Sequence, residues 1–226
     1  MKKIIWIAFL AAGLGELVSI LANIGILHLV CKPLITVTLA IAYGLTVKRE
    51  GFSMAVLLAL VFSLLGDTLL MFESKNSTYF MFGLASFLIA HIFYILAYRQ
   101  HRADETEAQL YGVQKVRLAF PVILAGTGLV VILYPTLGAL KIPVMLYALV
   151  LTVMVLNALF RYGRTPAKSF WTVFAGALLF MFSDALLAIN KFLSPISNAH
   201  LWIMLTYIGA QFLLVRGLIA HNRFQV

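Results

Sequence analysis

Charged side chains are scarce in this sequence. Asp, Glu, Lys and Arg together make up 11% of the 226 residues, whereas 63% of the residues are hydrophobic and 13% are aromatic. A soluble domain of this length needs a largely polar surface, so the composition excludes a soluble globular protein. The mean hydropathy of +1.01 instead indicates an all-α, polytopic membrane protein.

Cysteine is nearly absent as well. Cys31 is the single one, so the chain forms no internal disulfide, and no Cys-x-x-Cys or His-x-x-x-His ligand pair is present. Motifs of phosphate-binding loops and of serine-nucleophile turns are also missing. We therefore expect no metal site, and a metal held by His91 and Glu16 is the alternative.

Polar residues divide the chain into about eight apolar segments. Each segment is close to the length that spans a bilayer as a helix, about 20 residues. No segment between them is long enough for a soluble domain, so we expect residues 1–226 to form a single integral membrane domain. The predicted spans are 4–24, 33–47, 52–72, 79–98, 116–134, 143–160, 170–190 and 199–218.

The basic residues are distributed unevenly between the two sides that eight spans define. The side with both termini holds 13 of the 17, which places the termini in the cytoplasm, in what we expect to be a bacterial inner membrane. The same distribution argues against nucleic-acid binding as the reason for the net charge of +9. The 13 are Lys2, Lys3, Lys48, Arg49, Arg99, Arg102, Lys115, Arg117, Arg161, Arg164, Lys168, Arg216 and Arg223, and the other four are Lys32, Lys75, Lys141 and Lys191.

Two aspartates lie within apolar spans, in closely similar segments. Asp67 belongs to the segment 66–70 (Gly-Asp-Thr-Leu-Leu), and Asp184 belongs to the segment 183–187 (Ser-Asp-Ala-Leu-Leu). A carboxyl group in hydrocarbon costs roughly 2.5–3.5 kcal/mol, so such groups are usually functional. Both are predicted about two-thirds of the way along outward-running helices, where they could meet across a cleft. We predict a dyad that shares one proton, with one acid and one base.

The two aspartate segments lie half a chain apart, and other features recur at similar offsets. Lys32-Pro33 is predicted to open span 2, and Lys141 to Pro143 is predicted to open span 6. This pattern suggests two parallel four-helix repeats, with halves 1–110 and 111–226, from an old duplication. Weak similarity between apolar helices also arises from composition alone.

Further polar residues recur at intervals of three and four within the spans. Because lipid cannot satisfy polar groups, such stripes face the bundle interior or a wet cavity. Hydrogen bonds between helices are the alternative role for the serines, the threonines and Asn23. The stripes are Gly13, Glu16, Ser19 and Asn23; Lys32, Thr36 and Tyr43; Ser63, Asp67 and Ser74; Phe87, His91 and Tyr94; and Tyr207 and Gln211.

Repeats that carry intramembrane acids are typical of two classes of protein. In an enzyme the paired carboxyl groups would protonate a substrate and activate a water molecule. In a proton-coupled transporter of a small or lipid-like substrate they would carry protons across the membrane. The residues alone leave both classes open.

A series of short motifs extends over nearly the whole chain. It comprises Lys32-Pro33-Leu34; Gly66-Asp67 with Leu70-Met71; Gly83-Leu84 with Phe87, Ala90-His91 and Tyr94; Tyr147; Phe180 with Ser183-Asp184-Ala185-Leu186; and Tyr207 with Ala210-Gln211. In this order and spacing the chain resembles the YhhN family, the lysoplasmalogenase family of integral membrane enzymes.

The resemblance implies hydrolysis of the vinyl ether bond of a lysoplasmalogen, a 1-alkenyl lysophospholipid, without a cofactor. The products would be a fatty aldehyde and glycerophosphoethanolamine or glycerophosphocholine. Asp67 and Asp184 would supply the acid and the carboxylate. Lys32, at the predicted external mouth of span 2, would contact the lipid phosphate, or would snorkel to the interface. Glu16 would act as a proton relay or as a neutral hydrogen-bond donor, and the residues expected to orient the aspartates or the water are His91, Tyr147, Ser183, Tyr207 and Gln211.

Overall fold

The computed structural model describes residues 2–103 and 106–222, and this part of the chain is helical, without a strand. Within it, seven helices are long and apolar enough to cross a membrane, and α3 is a shorter apolar helix. The predicted all-α fold with about eight apolar helices is confirmed. The helices are α1 (Lys2–Ala22), α2 (Gly25–Thr46), α3 (Met54–Leu70), α4 (Ser77–Gln100), α5 (Gly112–Leu133), α6 (Lys141–Leu159), α7 (Ala167–Phe192) and α8 (Ala199–Asn222).

The second helix differs most from its predicted bounds of 33–47. Asn23 ends α1 with a φ of 54°, a left-handed conformation that asparagine tolerates, and α2 begins two residues later at Gly25. Pro33 lies inside α2. Proline is tolerated there because neighbouring groups in a membrane bundle can satisfy the carbonyl that it frees. The prediction that Lys32-Pro33 opens this helix is therefore wrong, whereas α6 does begin at Lys141.

The chain divides into two compact units, residues 1–97 and 98–226. The first unit contains α1, α2, α3 and most of α4. The second contains the end of α4 and the helices α5 to α8. The predicted repeat halves, 1–110 and 111–226, remain a prediction.

In the first unit, two glycines let α3 and α4 approach closely. A Cβ atom on Gly66 would lie 2.6 Å from the ring of Phe87, and one on Gly83 would lie 2.8 Å from Leu70. Small residues at such crossings are typical of membrane helices, which gain their affinity from close packing. These contacts define an antiparallel register in which Gly66 lies opposite Phe87, near the middle of α4.

The second and third helices are joined at one end by Tyr43. Its hydroxyl accepts a hydrogen bond from the Ser53 amide at 2.9 Å, and its ring contacts Phe52 with 5.5 Å between centroids. The two helices run antiparallel from this point. Positions at equal distances from it along α2 and α3 therefore lie at the same level.

In the second unit, α7 and α8 pack along their lengths. A Cβ atom on Gly176 would lie 3.0 Å from Leu213 and Leu214, and one on Gly217 would lie 2.5 Å from Val173. The Ser169 hydroxyl donates to the Gly217 carbonyl at 2.7 Å. Close packing and one buried hydrogen bond thus hold this helix pair together.

A buried arginine connects the loops at the end of this pair. Arg161 is fully buried and donates to the His101 carbonyl at 3.1 Å and to the Ser169 hydroxyl at 2.8 Å. Burial lowers the pKa of its guanidinium group to about 10, so it stays charged at neutral pH. Nearby, Thr165 and His221 are hydrogen-bonded at 2.7 Å. The sequence predicts Arg161 only as one of the loop charges, because nothing local in the sequence indicates its burial.

Candidate active site

Asp67 is enclosed in the first unit. It lies in the last turn of α3 with 2% of its surface exposed. Ser63, one turn earlier on the same helix face, is buried too, as is Tyr94 of α4. The Tyr94 hydroxyl lies close to the Ser63 side chain and to the Asp67 carboxyl group. The carboxyl group thus has hydroxyl-bearing side chains nearby inside the protein.

The predicted position of Asp67 along its helix is wrong, because α3 ends at Leu70 and the aspartate is in its last turn. The register set by Gly66 and Phe87 nevertheless places Asp67 opposite the middle of α4. The prediction of a position about two-thirds along the helix is right for Asp184 in α7.

Lys32 lies inside α2 and not at its mouth. It is about two turns from the start of the helix and only 9% exposed. Lys32 is about three turns from Tyr43, and Asp67 is about four turns from Ser53. Because α2 and α3 are antiparallel and joined at Tyr43 and Ser53, the lysine and the aspartate lie on neighbouring helices at levels that differ by about one turn.

Glu16 is paired with a histidine that sequence analysis did not select. Its carboxylate lies 2.8 Å from Nδ1 of His28, and the Ser19 hydroxyl donates to it at 3.3 Å. Glu16 is fully buried, whereas the His28 side chain is 32% exposed. His28 was missed because it falls in a stretch that was predicted to be a loop. Its spacing of four residues from Lys32 is the signal that could have identified it.

Most of the predicted polar stripes are buried. On α4, His91 lies between Phe87 and Tyr94, and all three are buried. The predicted stripe members Asn23 and Ser74 are exceptions, because both lie in exposed connections between helices. Those two predictions of an inward-facing position are wrong.

Asp184 has a different setting in the second unit. It lies on α7 and is half-buried, and the Tyr147 hydroxyl of α6 donates to its Oδ2 atom at 2.6 Å. Tyr147 itself is buried. This short bond connects α6 to α7 and fixes the orientation of the carboxyl group.

The other predicted residues of the second unit lie between α7 and α8. The Ser183 hydroxyl donates to the Ile203 carbonyl at 2.9 Å, and the Gln211 amide donates to the Tyr207 hydroxyl at 3.1 Å. The Tyr207 ring packs edge-on against Phe180 at 5.5 Å between centroids. Ser183 therefore uses its proton to join two helices.

Each aspartate can exchange a proton with a substrate or with water, since each has a hydroxyl-bearing neighbour that can orient it. The described residues contain no group of three or more His, Cys, Asp or Glu side chains that could hold a metal ion. Because Asp67 and Asp184 belong to different units, their action as a dyad remains a prediction.

The relatives of this chain agree in their names. Lysoplasmalogenase TMEM86A of Homo sapiens is 32% identical over 196 residues, which cover 81% of this chain and 73% of that protein. Lysoplasmalogenase TMEM86B of Homo sapiens is 31% identical over 164 residues, or 73% of this chain and 63% of that protein. The lysoplasmalogenase of Mycobacterium bovis is 32% identical over 161 residues, or 70% of this chain and 58% of that protein.

No solved structure matches the chain significantly. The model of the YhhN family matches residues 27–218, which include most of α2, all of α3 to α7 and most of α8. The match therefore contains both aspartate segments and the residues around them. The chain belongs to the YhhN family.

Proposed function

We propose that this protein is a lysoplasmalogenase, an integral membrane hydrolase that cleaves the vinyl ether bond of a lysoplasmalogen. The names of its relatives support this activity. The structural observation that supports it most is that both intramembrane aspartates have a tyrosine neighbour, Tyr94 beside Asp67 and Tyr147 beside Asp184. A membrane-embedded site also suits a substrate that is itself a membrane lipid.

The chemistry of a vinyl ether needs few protein groups. Protonation of the alkenyl carbon remote from oxygen gives an oxocarbenium ion, which a water molecule attacks to form a hemiacetal. The hemiacetal then collapses to a fatty aldehyde and the glycerol hydroxyl of the lysophospholipid backbone. The proton consumed in the first step is returned when water adds, so one acid and one carboxylate suffice.

We assign these two roles by access to water. Asp184 is half-buried and is oriented by Tyr147, so it takes the role of the carboxylate that activates the water. Asp67 is enclosed and is the proton donor to carbon. A carboxylate near the reacting carbon would also stabilise the oxocarbenium ion through its negative charge.

Three further residues complete the proposal in the first unit. Lys32, nearly buried and about one turn from the level of Asp67, would provide the positive charge for the lipid phosphate. Glu16 and His28 would relay protons, because His28 is partly exposed while its partner is buried. The remaining supporting residues are His91, Tyr207 and Gln211, together with Ser183, which acts by joining α7 to α8.

The test is incubation of the purified protein with a lysoplasmalogen and with its saturated alkyl-ether analogue in D₂O. We expect fatty aldehyde from the first lipid only, with one deuterium on the carbon next to the aldehyde group. The aldehyde incubated alone in D₂O is the control for exchange. Aldehyde release from neither lipid would refute the proposal, and proton flux in proteoliposomes would then test for a transporter.

For the membrane orientation, we propose a bacterial inner membrane with both termini in the cytoplasm. Cysteine substitutions at Lys75, in the α3–α4 connection, and at Lys191, at the end of α7, should react with an impermeant thiol reagent from outside the cell. The substitutions are made in a Cys31→Ser background. Labelling of these cysteines only after the membrane has been permeabilised would show the opposite orientation.

A further inference from the structure

The second unit contains a cavity of about 290 Å³ where the segment before α5, the start of α5 and the α6–α7 loop meet. Its lining includes Tyr111, Lys115, Phe160 and Arg164. This volume is near the lower end for ligand sites, about 300 Å³, so the cavity suits a compact group. None of its lining residues belongs to the proposed chemistry.

The cavity lies at the boundary between membrane and water. The apolar span Gly112–Leu133 begins at the cavity, and the span Gly138–Leu159 ends there. Helix α7 begins a few residues later. Asp184 is roughly 25 Å further along α7, at 1.5 Å per residue. The cavity is thus distinct from the site around Asp184.

Two basic side chains give the cavity a positive charge. The Lys115 ammonium group lies 4.6 Å from the centroid of the Phe160 ring, and Nε of Arg164 donates to the Ala103 carbonyl at 2.7 Å. No acidic side chain is among the described residues that line the cavity. The first turn of α5 has no acidic residue and no side-chain cap, so its amide groups add to the positive potential.

Part of the cavity wall is apolar. Leu110, which lines the cavity, belongs to a buried cluster with Ala119, Leu159 and Phe170, and Phe160 packs against that cluster. A cationic opening beside an apolar wall matches a ligand with an anionic group and a hydrocarbon part.

The loops that form the cavity have a defined arrangement. Gly163 has a φ of 69°, and a Cβ atom there would overlap the Ala108 carbonyl. The Thr106 hydroxyl donates to the Gly163 carbonyl at 2.9 Å, and the Ala103 amide donates to the Arg164 carbonyl at 2.8 Å. These contacts hold Arg164 at the cavity through the backbone as well as through its side chain.

We propose that this cavity binds a phosphate-bearing head group, with Lys115 and Arg164 as the cations that contact the phosphate. The source is an anionic phospholipid of the bilayer or a free glycerophosphate compound, which share this chemistry. The proposal concerns binding at a separate site, so its test is independent of the test of the proposed catalytic activity.

The experiment is native mass spectrometry of the full chain in detergent with equal amounts of phosphatidylglycerol and phosphatidylcholine. We expect preferential binding of phosphatidylglycerol, and a decrease of about fivefold in its affinity for Lys115→Gln, the usual effect of one basic residue at a lipid surface. Lys115 is exposed, so its replacement leaves the fold intact. Lys168→Gln is the matched control, because Lys168 is also exposed, lies in the first turn of α7 and does not line the cavity.

Added glycerol 3-phosphate distinguishes the two sources. Displacement of phosphatidylglycerol by high concentrations of it supports a lipid site that recognises phosphate. Binding of glycerol 3-phosphate that Lys115→Gln weakens, without any preference between the lipids, supports the free compound as the ligand. The proposal would be overturned if Lys115→Gln and Lys168→Gln lost equal amounts of affinity for phosphatidylglycerol. It would also be overturned if the protein bound neither phosphatidylglycerol nor glycerol 3-phosphate. Arg164→Lys, which keeps the charge, should retain more affinity than Arg164→Gln.

Discussion

Asp67 and Asp184 follow different residues, and this difference accounts for much of the contrast between their surroundings. Gly66 precedes Asp67 and lets the Phe87 ring of α4 approach, which closes the protein around the carboxyl group. Ser183 precedes Asp184 and donates a hydrogen bond to α8, while Asp184 stays half-buried and is bound by α6. One helix contact depends on the absence of a side chain, and the other depends on a hydroxyl group.

The tyrosines beside the two aspartates also differ in how they contact the carboxyl group. Tyr94 lies close to both Ser63 and Asp67, whereas Tyr147 donates directly to the Asp184 carboxyl group at 2.6 Å. The first aspartate is therefore positioned mainly by packing, and the second mainly by one strong hydrogen bond. Two similar segments thus position their carboxyl groups by different physical means.

The largest expected effect comes from replacing the carboxyl groups. Asp67→Asn and Asp184→Asn keep the size of the side chain and remove proton transfer, so each should lower turnover by at least about 10²-fold. If the two act as one unit, the double variant should lose little more than the worse single variant. Aldehyde release by the purified proteins measures this.

The control for both variants is the amount of folded protein in the membrane, since a folding defect would imitate lost chemistry. Near-normal aldehyde release by a folded single variant would show that its aspartate is structural. Losses that multiply in the double variant would show two independent groups and would refute the dyad.

The next effect tests packing around Asp67. Gly66→Ala places a methyl group 2.6 Å from the Phe87 ring, so α3 and α4 must separate. Overpacking of this kind costs about 1–3 kcal/mol, and a displacement of about 1 Å near the chemistry costs up to about 10²-fold in rate. We expect lower thermal stability together with lower turnover.

Gly44→Ala is the matched control for Gly66→Ala. Gly44 lies in α2 of the same unit, and a methyl group added to it would have no atom of a neighbouring helix within 4 Å, so this change should preserve stability and turnover. A Gly66→Ala protein as active and as stable as the Gly44→Ala protein would contradict the idea that close helix packing positions Asp67.

Replacing either of the two tyrosines should have a smaller effect on turnover, and the two effects should differ. Tyr147→Phe removes the bond to Asp184, and bonds to charged groups contribute about 1.5–3 kcal/mol, so turnover should fall about tenfold or more. Tyr94→Phe should have a smaller effect, because packing also holds Asp67. The comparison of turnover at saturating substrate measures both. A larger loss in Tyr94→Phe would reverse the contrast between the two sites.

Much of the fold could be predicted because lipid imposes strict rules. Apolar length gave the eight helices, and the need to hide polar groups gave buried positions for Glu16, His91 and Gln211. The start of α2 was missed because proline is a boundary signal that membrane helices do not always obey. The burial of Arg161 and the pairing of His28 were missed because both depend on contacts between distant segments, which spacing along one helix does not encode.

The smallest effect is expected at Ser183, although it stands beside Asp184. Its hydroxyl donates to the Ile203 carbonyl, and such bonds between membrane helices contribute about 0.6 kcal/mol. Ser183→Ala should therefore lower thermal stability slightly and change turnover by less than about threefold. Ser63→Ala is the comparison in the first unit, where the hydroxyl lies close to Tyr94 beside Asp67, and it should lower turnover more. A loss in Ser183→Ala as large as in Asp184→Asn would instead place Ser183 among the groups that orient the aspartate or the water.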